Sequence, residues 1–234
     1  MPNFFLSVLC LCCWIALLPT GHAQKKLSDV DWERVQFKKL EKMAAQQQKL
    51  GRQFINDLQA TCHHSAPDSS EFTFHTKTYR IQANIDSLWT AYLTADPAAA
   101  WKSKIISFGL LYAPQENQIY YADDQIDLLE ESQMVFLNLR IWGMVNIAVA
   151  HRIDKIDPLQ KRIRFCYLDC GKTRGSQEMS LHQITPQITE VRHHSYFKGD
   201  SKFRDKRLYP NFHEKAIDQF HANVERWLKQ QQSN

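Results

Sequence analysis

The chain has 234 residues and a net charge of +4 from 29 Lys and Arg against 25 Asp and Glu. Its basic clusters, Lys25-Lys26, Lys38-Lys39, Lys161 to Arg164 and Lys202 to Arg207, are scattered and interspersed with acids. That pattern argues against nucleic acid as a partner and leaves open only a weak attraction to anionic membrane surfaces.

Phe4 to Leu18 is almost unbroken in apolar residues and is followed by Pro19, Thr20 and Gly21-His22-Ala23. This is the form of a signal peptide, residues 1–23, cut before Gln24, and it predicts a secreted or periplasmic protein. The stretch is shorter than the roughly 20 residues a membrane helix needs. The mature chain keeps Cys62, Cys166 and Cys170, too few for a disulfide-stapled mini-protein. In an extended segment Cys166 and Cys170 would stand about 13 Å apart, beyond the roughly 7 Å a disulfide tolerates. A bond from Cys62 to either stays open, and the plainest reading is three partly buried thiols.

Leu27 to Ala60 has no Pro, one Gly, and Trp32, Val35, Leu40, Met43, Leu50, Phe54 and Leu58 at near-helical spacing. It reads as one helix within an N-terminal segment, 24–62, capped by Asp29 or Asp31 and broken near Gly51. Its stripe is narrow for a core helix. The stripe packs on the domain or on a second copy of itself, a homodimer, and both stay open. His63 to Ser70 is a linker.

Glu71 to Ile81 alternates as a strand, with Phe72, Phe74, Thr76, Thr78 and Arg80 on one side and Thr73, His75, Lys77, Tyr79 and Ile81 on the other. Asn84 or Asp86 caps a helix carrying Leu88, Trp89, Tyr92 and Leu93, which Asp96-Pro97 ends. Ile105 to Tyr112 and Gln118 to Tyr121 are strands. Met134 to Ile153 is long for one strand, and Gly143 offers a turn or bulge in its middle. Arg162 to Asp169, Gln177 to Ile184 and Gln187 to Phe197 complete the strands, with the Gly171 to Gly175 hairpin and a turn at Thr185-Pro186 between them. Tyr209 to Lys229 closes the chain as an amphipathic helix. Phe212, Ala216, Ile217, Phe220, Val224, Trp227 and Leu228 form a broad apolar face, and Pro210 sits in the first turn. Such a face belongs against a sheet.

The expected fold is therefore α+β, an antiparallel sheet gripping a long C-terminal helix, with an extra N-terminal helix. Four features carry the resemblance to a known family: Thr78-Tyr79-Arg80-Ile81 running into Ile85-Asp86-Ser87-Leu88-Trp89, the Gly171 to Gly175 hairpin before Glu178-Met179-Ser180-Leu181, the strand Thr189 to His193, and the helix Phe212 to Leu228. Over residues 71–230 this order resembles the START-like, or SRPBCC, helix-grip superfamily. The resemblance implies a cavity beneath the C-terminal helix for an apolar ligand such as a lipid or sterol, in a binding protein or an enzyme.

No His-x-x-x-His, Cys-x-x-Cys or His-Glu-x-x-His spacing, nucleophile elbow or phosphate loop occurs, so no metal or cofactor is expected. His213 and His221 lie eight apart, roughly 12 Å along a helix, too far to share an ion. Glu130-Glu131 and Asp123-Asp124 read as solvated loop acids, and Arg204 to Arg207 as surface ion pairs. His213 sits at the edge of the buried helix face, and His193 alternates with Val191 and Thr189 toward the same space. His193, His213, Ile217 and Phe220 are the candidate ligand-binding residues. The leading reading is a hydrophobic or amphipathic small-molecule binder without catalysis. The alternatives are a cyclase, isomerase or hydrolase using those histidines, and a self-associating interaction protein.

Overall fold

The alternation along the middle of the chain becomes one eight-stranded antiparallel sheet in the computed structural model, which describes residues 23–62, 72–201, 205 and 209–233. The strands are β1 (Thr73–Ile81), β2 (Ile106–Ala113), β3 (Gln118–Tyr120), β4 (Met134–Ile141), β5 (Val145–Asp157), β6 (Arg162–Tyr167), β7 (Thr173–Thr185) and β8 (Ile188–Gly199). Their order across the sheet is β1-β8-β7-β6-β5-β4-β2-β3. The run Met134 to Ile153 does split at Gly143, where Trp142 and Gly143 turn the chain with φ of 49° and 71°. The signal peptide, but for Ala23, lies outside the described residues, as do the linker and most of Lys202 to Arg207.

Because side chains alternate across a strand, the sheet has two faces of different character. The front face carries Leu137, Ile153, Ile163, Met179, Leu181 and Val191, all buried. The closing helix, numbered α5 below (Tyr209–Ser233), lies on it through Ala216, Phe220, Val224 and Leu228. Two further helices join this core. One is α3 (Ile85–Thr94), capped by the Asn84 side chain and burying Leu88, Trp89 and Tyr92. The other, α4 (Pro97–Ala100), starts where a helix end was expected, because Asp96 caps a new turn at Ala98 and Ala99. Asn223 of α5 donates to the carbonyls of Ala100 and Lys102, and Trp101 stacks on Phe220 at 4.2 Å.

The back face corrects the N-terminal reading. The segment 24–62 is not one helix but a 3-10 turn (Leu27–Asp29), α1 (Trp32–Val35), α2 (Lys38–Lys49) and a second 3-10 turn (Ile55–Asp57). Gln36 in the left-handed region and extended Phe37 part α1 from α2, and Gly51 at φ 86° ends α2 where the break was expected. The pieces then face inward together. Leu27, Val30, Val35, Leu40, Met43, Ala44, Ile55 and Leu58 are all buried against Leu110, Tyr112, Met134, Phe136, Ala150 and Leu168. A stripe that looks narrow on one helix is wide once four short pieces share it, so this segment buries its apolar side against the back of the sheet. Leu40 sits so close over Gly109 that a Cβ there would lie 2.5 Å from its Cδ1 and 2.9 Å from the Phe136 carbonyl oxygen.

A covalent link completes the attachment. Cys62 and Cys166 form a disulfide, in place of the three thiols of the plainest reading, and Cys170 is free. Cys166 lies on the back face of β6, opposite Tyr167 on the front, so its partner had to come from the segment covering the back. Arg52 adds a two-pronged ion pair to Asp169, at 2.7 Å through each nitrogen.

Candidate functional site

The front face of the sheet is apolar except at a few places, and those places face one another. His151 alternates with Val149 and Ile153 on β5, Gln177 with Met179 on β7, and His193 with Val191 and Ser195 on β8. Helix α5 brings His213 and His221 down onto them, two turns apart. All these histidines, Gln177 and Ser195 are buried.

Gln177 is the hub. Its Oε1 accepts from His193 Nε2 at 2.9 Å and from His213 Nε2 at 3.0 Å. Its Nε2 donates to Tyr167 Oη at 2.7 Å and to His151 Nε2 at 3.1 Å. His193 Nδ1 meets His221 Nε2 at 3.0 Å, and His221 Nδ1 meets the Tyr92 hydroxyl at 2.6 Å. His213 Nε2 also lies 3.3 Å from Ser195 Oγ. Tyr167 and Tyr209 join through their hydroxyls.

Burial pushes the pKa of His151 and of His193 down to about 3, and those of His213 and His221 well below the ordinary imidazole value, with neighbouring histidines adding to the shift in the last three. The rings are therefore neutral, each with one N–H and one lone pair. Burial also raises the Tyr92 pKa, so its hydroxyl keeps its proton. That proton has no acceptor other than His221 among the described residues, which fixes the direction of the chain. Tyr92 donates to His221 Nδ1, His221 Nε2–H to His193 Nδ1, and His193 Nε2–H to the Gln177 carbonyl oxygen. His213 likewise spends its Nε2–H on Gln177, and its Nδ1 is left as a buried acceptor with no partner among the described residues.

Outside this network, a charged row clamps α5 to the edge strand. Glu214 accepts from His75 at 2.8 Å, Asp218 accepts from the Tyr79 hydroxyl at 2.7 Å, and Lys77 bonds Asp218 at 2.9 Å. The row lowers the Glu214 pKa, chiefly through its hydrogen bond with His75.

Between the network and the β4–β5 end of the sheet is a cavity of about 90 Å³. Its walls are Leu137, Leu139, Ile147, Val149, Phe212 and Ile217, and its polar end is His151, Tyr167, Gln177, Tyr209 and His213. A second hollow of about 40 Å³ lies toward α3 and α4, and Trp101, Leu137 and His151 border both. Among the expected residues, His213 and Ile217 line the main cavity, Phe220 lines the smaller one, and His193 stands behind the cavity, holding Gln177. Sequence reasoning missed Gln177, His151, Tyr167 and Tyr209. Its available signal was a polar residue in the apolar phase of a strand, seen at Gln177 between Gly175 and Met179 and at His151 between Val149 and Ile153.

Among the described residues, one group brings three metal-type ligand atoms together, Cys62, Asp154 and Cys166. Its two sulfurs are joined in the disulfide and are not thiolates.

No family model and no curated protein matches the chain. Solved structures do resemble it. A point mutant of norcoclaurine synthase from Thalictrum flavum, bound to a transition-state analogue, is 7% identical with a TM-score of 0.52 over 69% of this chain and 96% of that one. The Zhui aromatase/cyclase from a Streptomyces species is 14% identical with a TM-score of 0.51, over 68% and 94%. The chain has the START-like helix-grip fold. At such identities the likeness is one of fold alone. The resemblance read from sequence spans residues 71–230 and leaves out the N-terminal segment, which forms a second core on the back of the sheet and is tied to it by the disulfide and the Leu40–Gly109 contact.

Proposed function

We propose that this helix-grip protein binds a small, mainly apolar molecule with one hydrogen-bonding end in the cavity under α5, without changing it chemically. The observation that carries the reading is the make-up of the cavity: walls that are mostly apolar, and a group of polar residues whose histidines are neutral. The apolar part would rest on Val149, Phe212 and Ile217, and the polar end near His151, Tyr167 and His213, whose Nδ1 still lacks a donor. At about 90 Å³ the cavity suits a single small ring, below the roughly 300 Å³ at which drug-sized sites begin, so a lipid or sterol would require it to widen. The solved structures of like fold, a synthase and an aromatase/cyclase, support a small-molecule site in this architecture.

One observation favours a second reading, an acid–base enzyme of the cyclase, isomerase or hydrolase kind. His213 Nδ1, a lone pair with no partner among the described residues, stands with the Tyr167 and Tyr209 hydroxyls at one end of one cavity and can take a proton from a bound molecule, as a weak base because burial lowers its pKa. The self-association reading loses its main support, because the apolar stripe of the N-terminal segment is spent on the chain's own sheet. Export is part of the proposal, and the Cys62–Cys166 bond supports it, since disulfides persist in oxidising compartments.

Isothermal titration with p-cresol, one ring bearing one hydroxyl, tests the site. The expected result is one-to-one binding that Val149→Trp weakens about tenfold or more by filling the cavity. Equal affinity in both proteins would refute the location, and recovery of an altered compound from a substrate panel would favour the enzyme.

A further inference from the structure

We propose that the β4–β5 hairpin is a docking element for an anionic lipid bilayer. Trp142 is 66% exposed, Met144 79% and Val145 50%, three large apolar side chains in four consecutive residues. Exposed apolar residues such as Leu50 and Leu159 stand singly, as they do on most protein surfaces. Trp142 also occupies a left-handed conformation, φ 49°, a position that bulky residues rarely take and that Asn or Gly fills at hairpin tips. Among the described residues its one ring contact is with the edge of Phe212, with centroids 5.6 Å apart.

The charge around the tip selects the partner. Arg140 on β4, Lys104 just before β2, Lys172 in the β6–β7 loop and Lys215 on α5 are all exposed at this end of the sheet. Asp169 is paired with Arg52, and Asp200 is paired with Lys172 at 3.5 Å, so the cations left to face an anionic surface are chiefly Arg140, Lys104 and Lys215. An indole and a thioether inside a ring of cations suit the boundary between headgroups and acyl chains of an anionic membrane. The inference stands on the hairpin itself and does not need the cavity to be filled. Ile141 and Ile147 of the same hairpin line that cavity, so the docked face adjoins it.

Co-sedimentation of the full mature chain with phosphatidylcholine vesicles, with and without phosphatidylglycerol, tests this. Binding is expected only to the anionic vesicles. W142S/M144S should weaken it about tenfold, and Arg140→Gln and Lys104→Gln about fivefold each, with thermal melts unchanged because these side chains are exposed. Failure of the wild type to bind, equal binding to neutral vesicles, or W142S/M144S binding as the wild type does would each overturn the proposal. So would light scattering that shows a wild-type dimer lost in W142S/M144S while vesicle binding persists, which would assign the hairpin to a second copy of the chain.

Discussion

Mild acid should strongly destabilise this protein through four residues. His151, His193, His213 and His221 are buried and neutral in the folded chain, with pKa values pushed to about 3 for the first two and well below the ordinary value for the others. Once unfolded, each returns to about 6.5 and takes up a proton as pH falls below that value. A group whose folded pKa is depressed contributes stability that is present above its unfolded pKa and is lost as pH falls toward its folded one. Between pH 7.5 and 5.5 each imidazole costs about 1.4 kcal/mol, so the four together cost about 6 kcal/mol. That is a large part of the 5–15 kcal/mol that typical domains possess. Half-buried His194, also lowered, adds a smaller amount of the same sign, while Glu214, itself lowered, acts only at more acidic pH. Urea melts followed by circular dichroism at pH 7.5, 6.5 and 5.5 give the slope directly, and it should approach four protons, about 5 kcal/mol per pH unit, near pH 5.5. His151→Gln keeps an acceptor for the Gln177 amide and should reduce the slope to about three protons. A stability that changes by less than about 1 kcal/mol over this range would mean that the imidazoles are charged or hydrated in the fold, and would refute the network.

Truncating Leu40 to Ala should cost about 3–5 kcal/mol, and Gly109→Ala should also destabilise by pressing a methyl into Leu40 and the Phe136 carbonyl; a near-silent Leu40→Ala in a urea melt would remove the N-terminal segment from the core. Non-reducing proteolysis should yield one peptide pair joining Cys62 to Cys166, with Cys170 alone alkylated after denaturation, and any bridge to Cys170 would contradict the structure. Replacing both bonded cysteines by Ser should cost up to about 4.7 kcal/mol for a loop of this length, read as a lower urea midpoint. Phe220→Ala should cost about 3–5 kcal/mol, whereas Lys215→Ala should be nearly silent in stability; equal costs would take α5 out of the core.

What the sequence showed and what it hid follow from where the physics is local. Period-two alternation, the Gly143 turn and the broad face of α5 are local signals, and they sufficed for the sheet, the closing helix and the resemblance. The N-terminal segment misled because a stripe assumes one continuous helix, and the left-handed turn at Gln36 has no Gly or Pro to mark it. The disulfide was hidden because pairing Cys62 with Cys166 depends on which face of the sheet the segment covers, a tertiary fact. At the site, His213 was legible from its place on the helix face. His193 was read as a cavity residue but serves behind Gln177. Gln177 itself lay in a strand already identified, and only the meeting of four strands with α5 makes a single amide the junction of three histidines and a tyrosine.

The central claim is that a small molecule is held between α5 and the front of the sheet, and methyl-resolved NMR during a p-cresol titration tests it most directly. Saturable one-to-one shifts should concentrate at Leu137, Leu139, Ile147, Val149 and Ile217, which wall the cavity, and should disappear in Val149→Trp. Shifts centred on exposed Leu159 or Ile184, or shifts at the cavity methyls that survive Val149→Trp, would contradict it.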